Sequence, residues 1–210
     1  SSSEQFVEKY QKPLLVTVLI IILVVAGFLS VRHFYFQPRE VKAQAAMYKG
    51  EIYFAKDSFE LALKGNGADF VGFEAIADDY SSTKAGNLAA AYAGICYYNL
   101  GKDAEALAYL KKFDGDDAFL SPNIEAMIGN CYANMDQYDD AIKAFEKAAK
   151  KADNEMASPI FLQKAATVAE KMGNYKKALD FYQKIKDEYS QSMIGRDIDK
   201  YIERAKAHVK

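Results

Sequence analysis

The side chains that could carry out catalysis or bind a metal ion are few in this sequence and lie far apart. His33 and His208 are the only histidines, and neither has a serine, cysteine or carboxylate at a spacing that would pair a nucleophile with a base. Two cysteines are too few for a zinc cluster, and the glycine patterns that bind phosphates or dinucleotides do not occur. The sequence therefore predicts a protein that is not an enzyme, with no metal and no cofactor.

The clustered acidic residues and the two cysteines have structural explanations. The acidic groups are Asp78/Asp79, Asp114/Asp116/Asp117 and Asp139/Asp140. Carboxylates are favoured at helix starts, and residues 114–117 lack the ligand series of a calcium loop. Cys96 and Cys131 occupy matching points of two similar stretches, but packed helix axes lie about 8–10 Å apart, farther than the usual Cα separation across a disulfide. We expect two buried thiols.

The charge balance argues against nucleic acid as a partner. The net charge is −2, and no basic stripe with interleaved aromatic residues occurs. Half of the residues are hydrophobic and 27% are charged, which is ordinary for a folded protein. Nothing in this composition indicates a small-molecule substrate.

The elements that must position a functional surface begin with a candidate membrane span. The segment "PLLVTVLIIILVVAGFLSV" runs from Pro13 to Val31 and is uncharged. With its aromatic flank "HFYF", a helix over 13–36 can cross a hydrocarbon core of about 30 Å. A cleaved signal peptide is the alternative, but its apolar run would be only about 7–15 residues long.

The charges beside the span leave its orientation open. Two lysines precede it and four basic residues follow it: Lys9 and Lys12, then Arg32, Arg39, Lys42 and Lys49. A count of these charges would place the C-terminal part in the cytoplasm. Long domains, however, cross membranes largely regardless of flanking charge.

Beyond the span, apolar residues recur at helical spacing and one phrase occurs twice. "IADDYSSTKAG" occupies 76–86 and "IKDEYSQSMIG" occupies 185–195, 109 residues apart. That separation is close to three units of about 36 residues, which indicates a helical repeat. We expect both copies to mark the same hinge between two helices. The pairs Ser121–Pro122 and Ser158–Pro159 predict two further helix starts, because Ser is a good N-cap and Pro is tolerated in the first turn.

Three stretches share a pattern of small and aromatic residues: "YAGICYYNLGKDAEALAYLKK", "IGNCYANMDQYDDAIKAFEKA" and "ATVAEKMGNYKKALDFYQKI". They resemble tetratricopeptide (TPR) repeats, in which small residues let helices A and B approach and aromatic residues fill the space beside them. The matching positions are Gly94, Tyr97, Gly101, Ala106 and Leu110; Gly129, Tyr132, Asp136, Tyr138, Ala141 and Phe145; and Ala166, Ala169, Gly173, Tyr175, Ala178 and Tyr182. The family's Trp is absent from all three, and Ala169 replaces an aromatic residue.

Together with the apolar segment, this resemblance predicts an all-α protein, with a single N-terminal transmembrane helix followed by a TPR-like α-solenoid and a C-terminal capping helix. We expect a juxtamembrane tail at 1–12, the span at 13–36 and a TPR domain over 37–210. The domain would comprise a degenerate repeat at 40–86, repeats at 87–121, 122–158 and 159–190, and a cap at 191–208. The apolar stripe of the cap is Ile194, Ile198, Tyr201, Ile202 and Ala205.

Stacked repeats form a concave groove lined by one face of each helix A. By the family's pattern, the groove positions are Leu88, Ala91, Ile95, Tyr98 and Asn99; Asn123, Ala126, Asn130, Ala133 and Asn134; and Ile160, Gln163, Thr167, Glu170 and Lys171. This amide-rich, nearly uncharged set suits hydrogen bonding to an extended or loosely folded segment. It departs from the chaperone-receptor TPR domains, because Ala91 and Ala126 stand where a carboxylate clamp would need Lys.

The overall layout resembles the YfgM-type ancillary subunits of the bacterial SecYEG translocon. The resemblance rests on "EQFVEKYQK" before the span, "VKAQAAMYKGEIYFA" after it and "SSTKAGNLAAAYA" leading into the repeats. It implies a single-pass inner-membrane protein with its N-terminus in the cytoplasm and its TPR domain in the periplasm. It also implies SecYEG and a PpiD-like periplasmic chaperone as partners, with hand-over of unfolded secretory polypeptides.

Two other functions fit the same layout. One is a TPR scaffold of another envelope complex, in outer-membrane assembly or division. The other is a cytoplasmic-face receptor that docks chaperones, which the missing Lys clamp disfavours. The proteins that crosslink to this chain, and the side of the membrane on which its TPR domain is accessible, distinguish the three functions.

Overall fold

The computed structural model describes the backbone of residues 2–209 and the side chains of residues 10–209. Within that range the chain forms helices joined by turns and loops, with no strand, so the predicted all-α class is confirmed. The elements in chain order are α1 (Ser2–Val31), a π-helical segment (Arg32–Phe36), α2 (Gln37–Ala55), α3 (Phe59–Lys64), α4 (Phe73–Asp79), α5 (Lys84–Asn99), α6 (Asp103–Leu110), α7 (Leu120–Asn134), α8 (Tyr138–Ala152), α9 (Ser158–Lys171), α10 (Tyr175–Glu188), α11 (Met193–Arg196) and α12 (Ile198–His208).

α1, the π-helical segment and α2 form one continuous helix. From Tyr10 to Ala55 it is 46 residues long, and its most apolar window has a mean hydropathy of 3.1 with 0% of it buried. A helix this long and apolar can cross a membrane, so the prediction of a candidate N-terminal span is confirmed. The π-helical segment coincides with the aromatic flank of the span, where α1 passes into α2.

α2 leaves the apolar segment and packs as the first helix of the repeat region. Its side chains Ala43 and Met47 are buried, and a Cβ added at Gly50 would lie 2.6 Å from the rings of Phe70 and Phe73. The continuous helix formed by α1, the π-helical segment and α2 is therefore apolar and exposed at its N-terminal end and part of the repeat core at its C-terminal end.

Two side chains of α2 hold the repeat region close to the end of the apolar segment. The Glu40 carboxylate accepts hydrogen bonds from the backbone N–H groups of Lys84 and Ala85, at 2.7 and 3.1 Å. The Arg39 guanidinium donates to the carbonyl oxygen of Asp79. Since both side chains lie within one turn of the π-helical segment, the repeat region is attached to the anchor by side chains as well as by the continuous helix.

Three helix pairs follow, α5 with α6, α7 with α8 and α9 with α10. A Cβ at Gly94 would lie 2.6 Å from the Leu110 side chain, and one at Gly129 would lie 2.7 Å from the Phe145 ring. In the third pair, Tyr182 is fully buried. The small and large residues predicted from the repeat pattern thus pack in the interior of these pairs.

The segment between α2 and the first complete pair is irregular. α3 and α4 are separated by residues 65–72, and the side chain of Asn66 organises this loop by accepting from the backbone N–H groups of Ala68, Asp69 and Phe70 at 3.0 to 3.1 Å. Phe73 follows the loop and stacks on Tyr92 of α5, with ring centroids 4.6 Å apart. This stacking joins the irregular repeat to the first complete one.

The predicted Ser N-caps of α7 and α9 are wrong. The carboxylate of Asp117 accepts from the backbone N–H of Leu120 at 2.6 Å, and the Asn154 side chain accepts from that of Ala157 at 2.8 Å. Ser158 is buried, and its hydroxyl donates to a carbonyl oxygen of α8 instead. The helices begin beside the two Ser–Pro pairs, but their N-cap residues are Phe119 and Ala157, and the bonding Asp117 and Asn154 stand four residues before each Ser.

The two copies of the repeated phrase form the same turn. In the first, the Thr83 hydroxyl donates to the Tyr80 carbonyl at 2.7 Å and accepts from the Gly86 N–H at 2.9 Å. In the second, Ser192 makes the equivalent two bonds at 2.7 and 2.9 Å. Each hydroxyl therefore closes the preceding helix and caps the following one.

The C-terminal segment contains two helices, α11 and α12, rather than the one predicted. The helix is interrupted at Asp197, between α11 and α12. Ile198, Ile202 and Ala205 of α12 are buried against the last pair. The predicted apolar stripe is therefore used, but from a shorter helix.

Cys96 and Cys131 are buried free thiols, as predicted. Burial raises the pKa of each thiol to about 12. Their role is to fill the repeat core.

Candidate partner-binding groove

We use the term A helices for α2, α5, α7 and α9, the first helices of successive pairs. The α7–α9 groove is a cavity of about 460 Å³ between α7 and α9. Its lining includes Phe119, Asn123, Asn130, Met156, Ile160 and Lys164. The α2–α5 groove is smaller, about 250 Å³, and lies between Met47 of α2 and Leu88 of α5. A further cavity between α8 and α10 is lined mostly by charged side chains such as Lys150 and Glu188.

The predicted site residues fall into different surroundings. Leu88 lines the α2–α5 groove, and Asn123 and Asn130 line the α7–α9 groove. The others line neither of these two cavities: Ile95, Tyr98, Asn99, Asn134, Gln163, Thr167 and Glu170. The predicted surface is thus two separate grooves plus side chains between and beside them.

Tyr98 and Asn134 lie at the junction between α5 and α7. Tyr98 is half-buried, and burial raises the pKa of its hydroxyl, while hydrogen bonds from Asn130 and Asn134 act in the opposite direction. The Asn134 amide also donates to the Asp103 carboxylate at 3.0 Å. These polar side chains therefore connect neighbouring repeats and leave Asn134 exposed at the surface.

Several of the predicted polar groups already make bonds within their own helix. The amides of Asn99 and Asn123 donate to the carbonyl oxygens four residues earlier, at 2.8 and 2.7 Å, and the Thr167 hydroxyl does so at 2.9 Å. Each amide keeps a second N–H and a carbonyl oxygen with further bonding capacity. Because one donor of each side chain is already used within the protein, these residues can form fewer hydrogen bonds to a partner's backbone than their types suggest.

Glu170 ties the C-terminal helix to the last complete pair. Its carboxylate accepts two hydrogen bonds from Arg204 of α12, at 2.9 and 2.7 Å, and its side chain is only 16% exposed. Arg204 also reaches the hydroxyl of Tyr182, whose pKa burial raises to about 12. Glu170 thus stabilises the end of the array.

Sequence reasoning missed most of the residues that line the α7–α9 groove, including Phe119, Met156 and Lys164. Phe119 and Met156 are 80% and 83% exposed at the starts of α7 and α9. Lys164 donates to the Asn130 side-chain oxygen at 3.1 Å. The signals were available: Phe119 and Met156 stand 37 residues apart, and Lys164 lies one helical turn after Ile160.

A further cluster of ionisable groups lies between α3, α4, α5 and α6. Lys64 contacts Glu74 and the hydroxyl of Tyr97. Tyr109 donates to the Asp78 carboxylate at 3.0 Å, and burial together with that bond raises the pKa of the Tyr109 hydroxyl. The Lys64–Glu74 ion pair joins α3 to α4, and the hydrogen bonds of Tyr97 and Tyr109 link the same cluster to α5 and α6. No group of three or more metal-binding side chains occurs within the described part of the chain.

Comparison with protein families gives the class of this repeat region. Two family models, both describing the tetratricopeptide repeat, match the chain, one over residues 126–155 and the other over 92–114 and 162–192. A search of curated proteins found no match to this chain. The matched segments coincide with the three complete helix pairs. The chain therefore carries TPR repeats, which are protein-interaction modules built as stacked helix pairs.

Proposed function

We propose that this protein is a membrane-anchored, non-enzymatic TPR interaction module that serves as an ancillary subunit of the Sec translocon. In this role it recruits a PpiD-like periplasmic chaperone and hands over unfolded secretory polypeptides as they leave SecYEG. The protein has its N-terminus in the cytoplasm and its TPR domain in the periplasm of a bacterial inner membrane. The specific partners and the orientation follow from the resemblance of the whole layout to the YfgM-type subunits.

The observation that carries this proposal is the continuity between anchor and repeats. The 46-residue helix from Tyr10 to Ala55 is both the apolar anchor and the first A helix. Glu40 and Arg39 add side-chain bonds to the next repeat within a turn of the anchor's end. A flexible linker would let the domain sample a wide volume, whereas a continuous helix limits how far the repeats can move from the anchor, which supports a role close to the membrane.

The open α7–α9 groove supports binding of a polypeptide segment. Its lining combines apolar side chains, such as Phe119 and Met156, with the amides of Asn123 and Asn130. Backbone hydrogen bonding through amides needs no particular partner sequence. The groove is therefore suited to chains that have not yet folded.

Crosslinked affinity purification of the full chain from intact cells tests the partners. We expect translocon subunits and a periplasmic chaperone among the captured proteins, and their loss when Asn130 and Asn134 are both replaced by Asp. Capture of outer-membrane assembly, division or cytoplasmic chaperone components in place of the translocon would contradict the proposal.

Cysteine labelling tests the orientation. Cys96 and Cys131 are buried, so a membrane-impermeant maleimide should label the wild-type protein only weakly. A Ser190→Cys variant places a thiol at an exposed site, and we expect it to react when only the outer membrane is permeabilised. A Gln5→Cys variant should react only after the inner membrane is opened, and the reverse pattern would refute the periplasmic placement.

A further inference from the structure

Lys164 lies in the α7–α9 groove without a carboxylate partner among the described residues. Its ammonium donates to the Asn130 side-chain oxygen at 3.1 Å and lies 5.6 Å from the centre of the Phe145 ring. Burial lowers the pKa of Lys164. A half-buried ammonium that has only a neutral acceptor is poorly compensated for the water it has lost.

Neighbouring lysines of the same repeats are arranged differently. Lys147 and Lys151 both pair with the Glu125 carboxylate, at 2.6 and 3.1 Å, and Lys171 of α9 pairs with Asp136 at 3.7 Å. Lys164 alone among these four lines the α7–α9 groove, and no Asp or Glu lines it. The groove therefore offers one positive charge that a bound molecule can neutralise.

Large apolar side chains surround the mouth of the same groove. Phe119, Met156 and Ile160 are 80%, 83% and 43% exposed, although side chains of these types are usually covered. Met adapts its shape to different apolar partners. The apolar rim and the single lysine together define a surface that is complementary to an apolar group beside an anion.

We propose that the α7–α9 groove binds a polypeptide segment in which an acidic side chain stands next to a large apolar one. The carboxylate of an internal Glu or Asp pairs with Lys164, and the apolar side chain packs on Phe119, Met156 and Ile160. We assign the carboxylate to an internal side chain, which can extend to the half-buried ammonium of Lys164 while the neighbouring apolar side chain contacts the exposed Phe119 and Met156. This inference rests on the proposed function, since it names the segments that the module prefers.

The test uses two pools of nine-residue peptides, N-acetylated and C-terminally amidated, so that no terminal charge is present. Both pools carry Phe at position 4 and random uncharged residues elsewhere, with Glu at position 5 in one pool and Gln in the other. The full chain in detergent micelles is immobilised, and retained peptide is quantified. We expect the Glu pool to be retained at least about five-fold more than the Gln pool, because hydrogen bonds to charged groups are the stronger ones.

Three variants assign this preference to Lys164. Lys164→Gln should retain both pools equally, whereas Lys164→Arg should keep the preference for Glu. Lys171→Gln removes an exposed lysine of the same helix and should also keep the preference. If Lys164→Gln loses its helical circular dichroism signal, Lys164→Met keeps the apolar stem and removes only the charge.

The outcomes separate the two proposals. Equal retention of both pools by the wild-type chain would overturn the acidic preference while leaving polypeptide binding intact. A Glu preference that survives in Lys164→Gln would overturn it as well, because the carboxylate would then bind elsewhere. Retention of neither pool would overturn both this inference and the binding of unfolded segments by the groove.

Discussion

The two copies of the repeated phrase, at 76–86 and 185–195, have the same turn but different continuations. In both, a hydroxyl donates to the carbonyl three residues earlier and accepts from the N–H three residues later. An aromatic pair flanks each turn: Phe73 stacks on Tyr92 at 4.6 Å, and Tyr182 lies against Tyr201 at 5.5 Å. The turn is therefore determined by residues close to it in sequence.

The helices that follow the two turns differ in length and support. α5 runs unbroken for 16 residues, whereas the equivalent C-terminal residues form α11 and α12 with a break at Asp197. Leu88 occupies the position in α5 that corresponds to Asp197, and it is partly buried against the repeat core. α5 is also covered by α2, whose Glu40 binds the first N–H groups of α5. The two helices therefore begin in the same way, but they continue with different residues, Leu88 against Asp197, and only α5 has the support of α2.

The largest expected effect comes from replacing the glycine three residues after each hydroxyl. A Cβ at Gly86 would overlap the Tyr80 carbonyl oxygen, and one at Gly195 would overlap that of Tyr189. We expect Gly86→Ala to lower the free energy of unfolding by about 3 kcal/mol, as severe overpacking does. Gly195→Ala should lower it by about 1 kcal/mol, because the terminal segment can open locally.

Urea unfolding of the full chain in detergent, followed by circular dichroism, measures both values, with Ser82→Ala as an exposed control. Losses of equal size at the two glycines would show that tertiary support does not distinguish the two turns.

The next largest effect concerns the hydroxyls. Thr83→Val keeps the shape of the side chain and removes both hydrogen bonds, and we expect a loss of about 1–2 kcal/mol, typical of a helix N-cap. Thr83→Ser should restore most of the stability. Ser192→Ala should give a similar loss, which hydrogen exchange would localise to α11 and α12. A fully stable Thr83→Val variant would mean that the shared turn does not depend on its hydroxyl.

A smaller effect tests the support from α2. Glu40→Gln removes a negative charge from the N-terminus of α5, where it interacts favourably with the helix dipole, so we expect a loss of about 1 kcal/mol. Gln44 lies one turn further along α2 and bonds to Glu40, and Gln44→Ala is the control with little expected change. If Glu40→Gln is as stable as wild type in urea unfolding, the carboxylate does not buttress the first turn.

The smallest expected effect is a difference in stability between variants of two acidic residues at matching positions, Asp78 and Asp187. Asp78 binds Lys112 at 2.7 Å and accepts from Tyr109, whereas Asp187 bonds only to Gln183 of its own helix among the described contacts. Lys112 lowers the pKa of the Asp78 carboxyl, burial opposes this, and Tyr109 adds to the lowering. The resulting stabilisation is present above the unfolded pKa of about 3.9 and is lost as the pH falls through the lower folded pKa.

Since the Asp78 side chain is half exposed, Asp78→Asn should cost only about 0.5 kcal/mol at pH 7. The difference from wild type should shrink as the pH falls below the unfolded pKa and vanish once the pH is below the lowered folded pKa. Asp187→Asn should match wild type throughout. Urea unfolding curves across this pH range measure the difference in free energy of unfolding. If Asp78→Asn lost the same stability at every pH, the loss would come from packing and not from charge.

The repeat register could be predicted from the sequence because it depends on local spacing. Gly129 and Phe145 are 16 residues apart, and the turn between their helices fixes which side chains meet. The apolar anchor could also be predicted from the sequence, because its composition alone excludes a helix with a polar face. In both cases the relevant partners lie within one repeat or one helix.

Features that depend on contacts between repeats were not predictable in the same way. The pairing of Lys164 with Asn130, and of Glu170 with Arg204, each spans 34 residues and depends on the angle between neighbouring helices. The helix break at Asp197 was likewise not predicted, because the apolar stripe continues across it from Ile194 to Ile198. The family's position pattern placed Glu170 among the groove candidates, although its carboxylate binds Arg204 of α12.

The central claim is that polypeptides bind on the A-helix side of the repeats, beside the membrane anchor. In-cell photocrosslinking tests it directly, with a benzophenone amino acid placed at Tyr98 or Asn134 between two A helices, or at the exposed Lys143 of α8 as the control. The account predicts polypeptide adducts from Tyr98 and Asn134 and few from Lys143. Adducts that form mainly from Lys143 would contradict it.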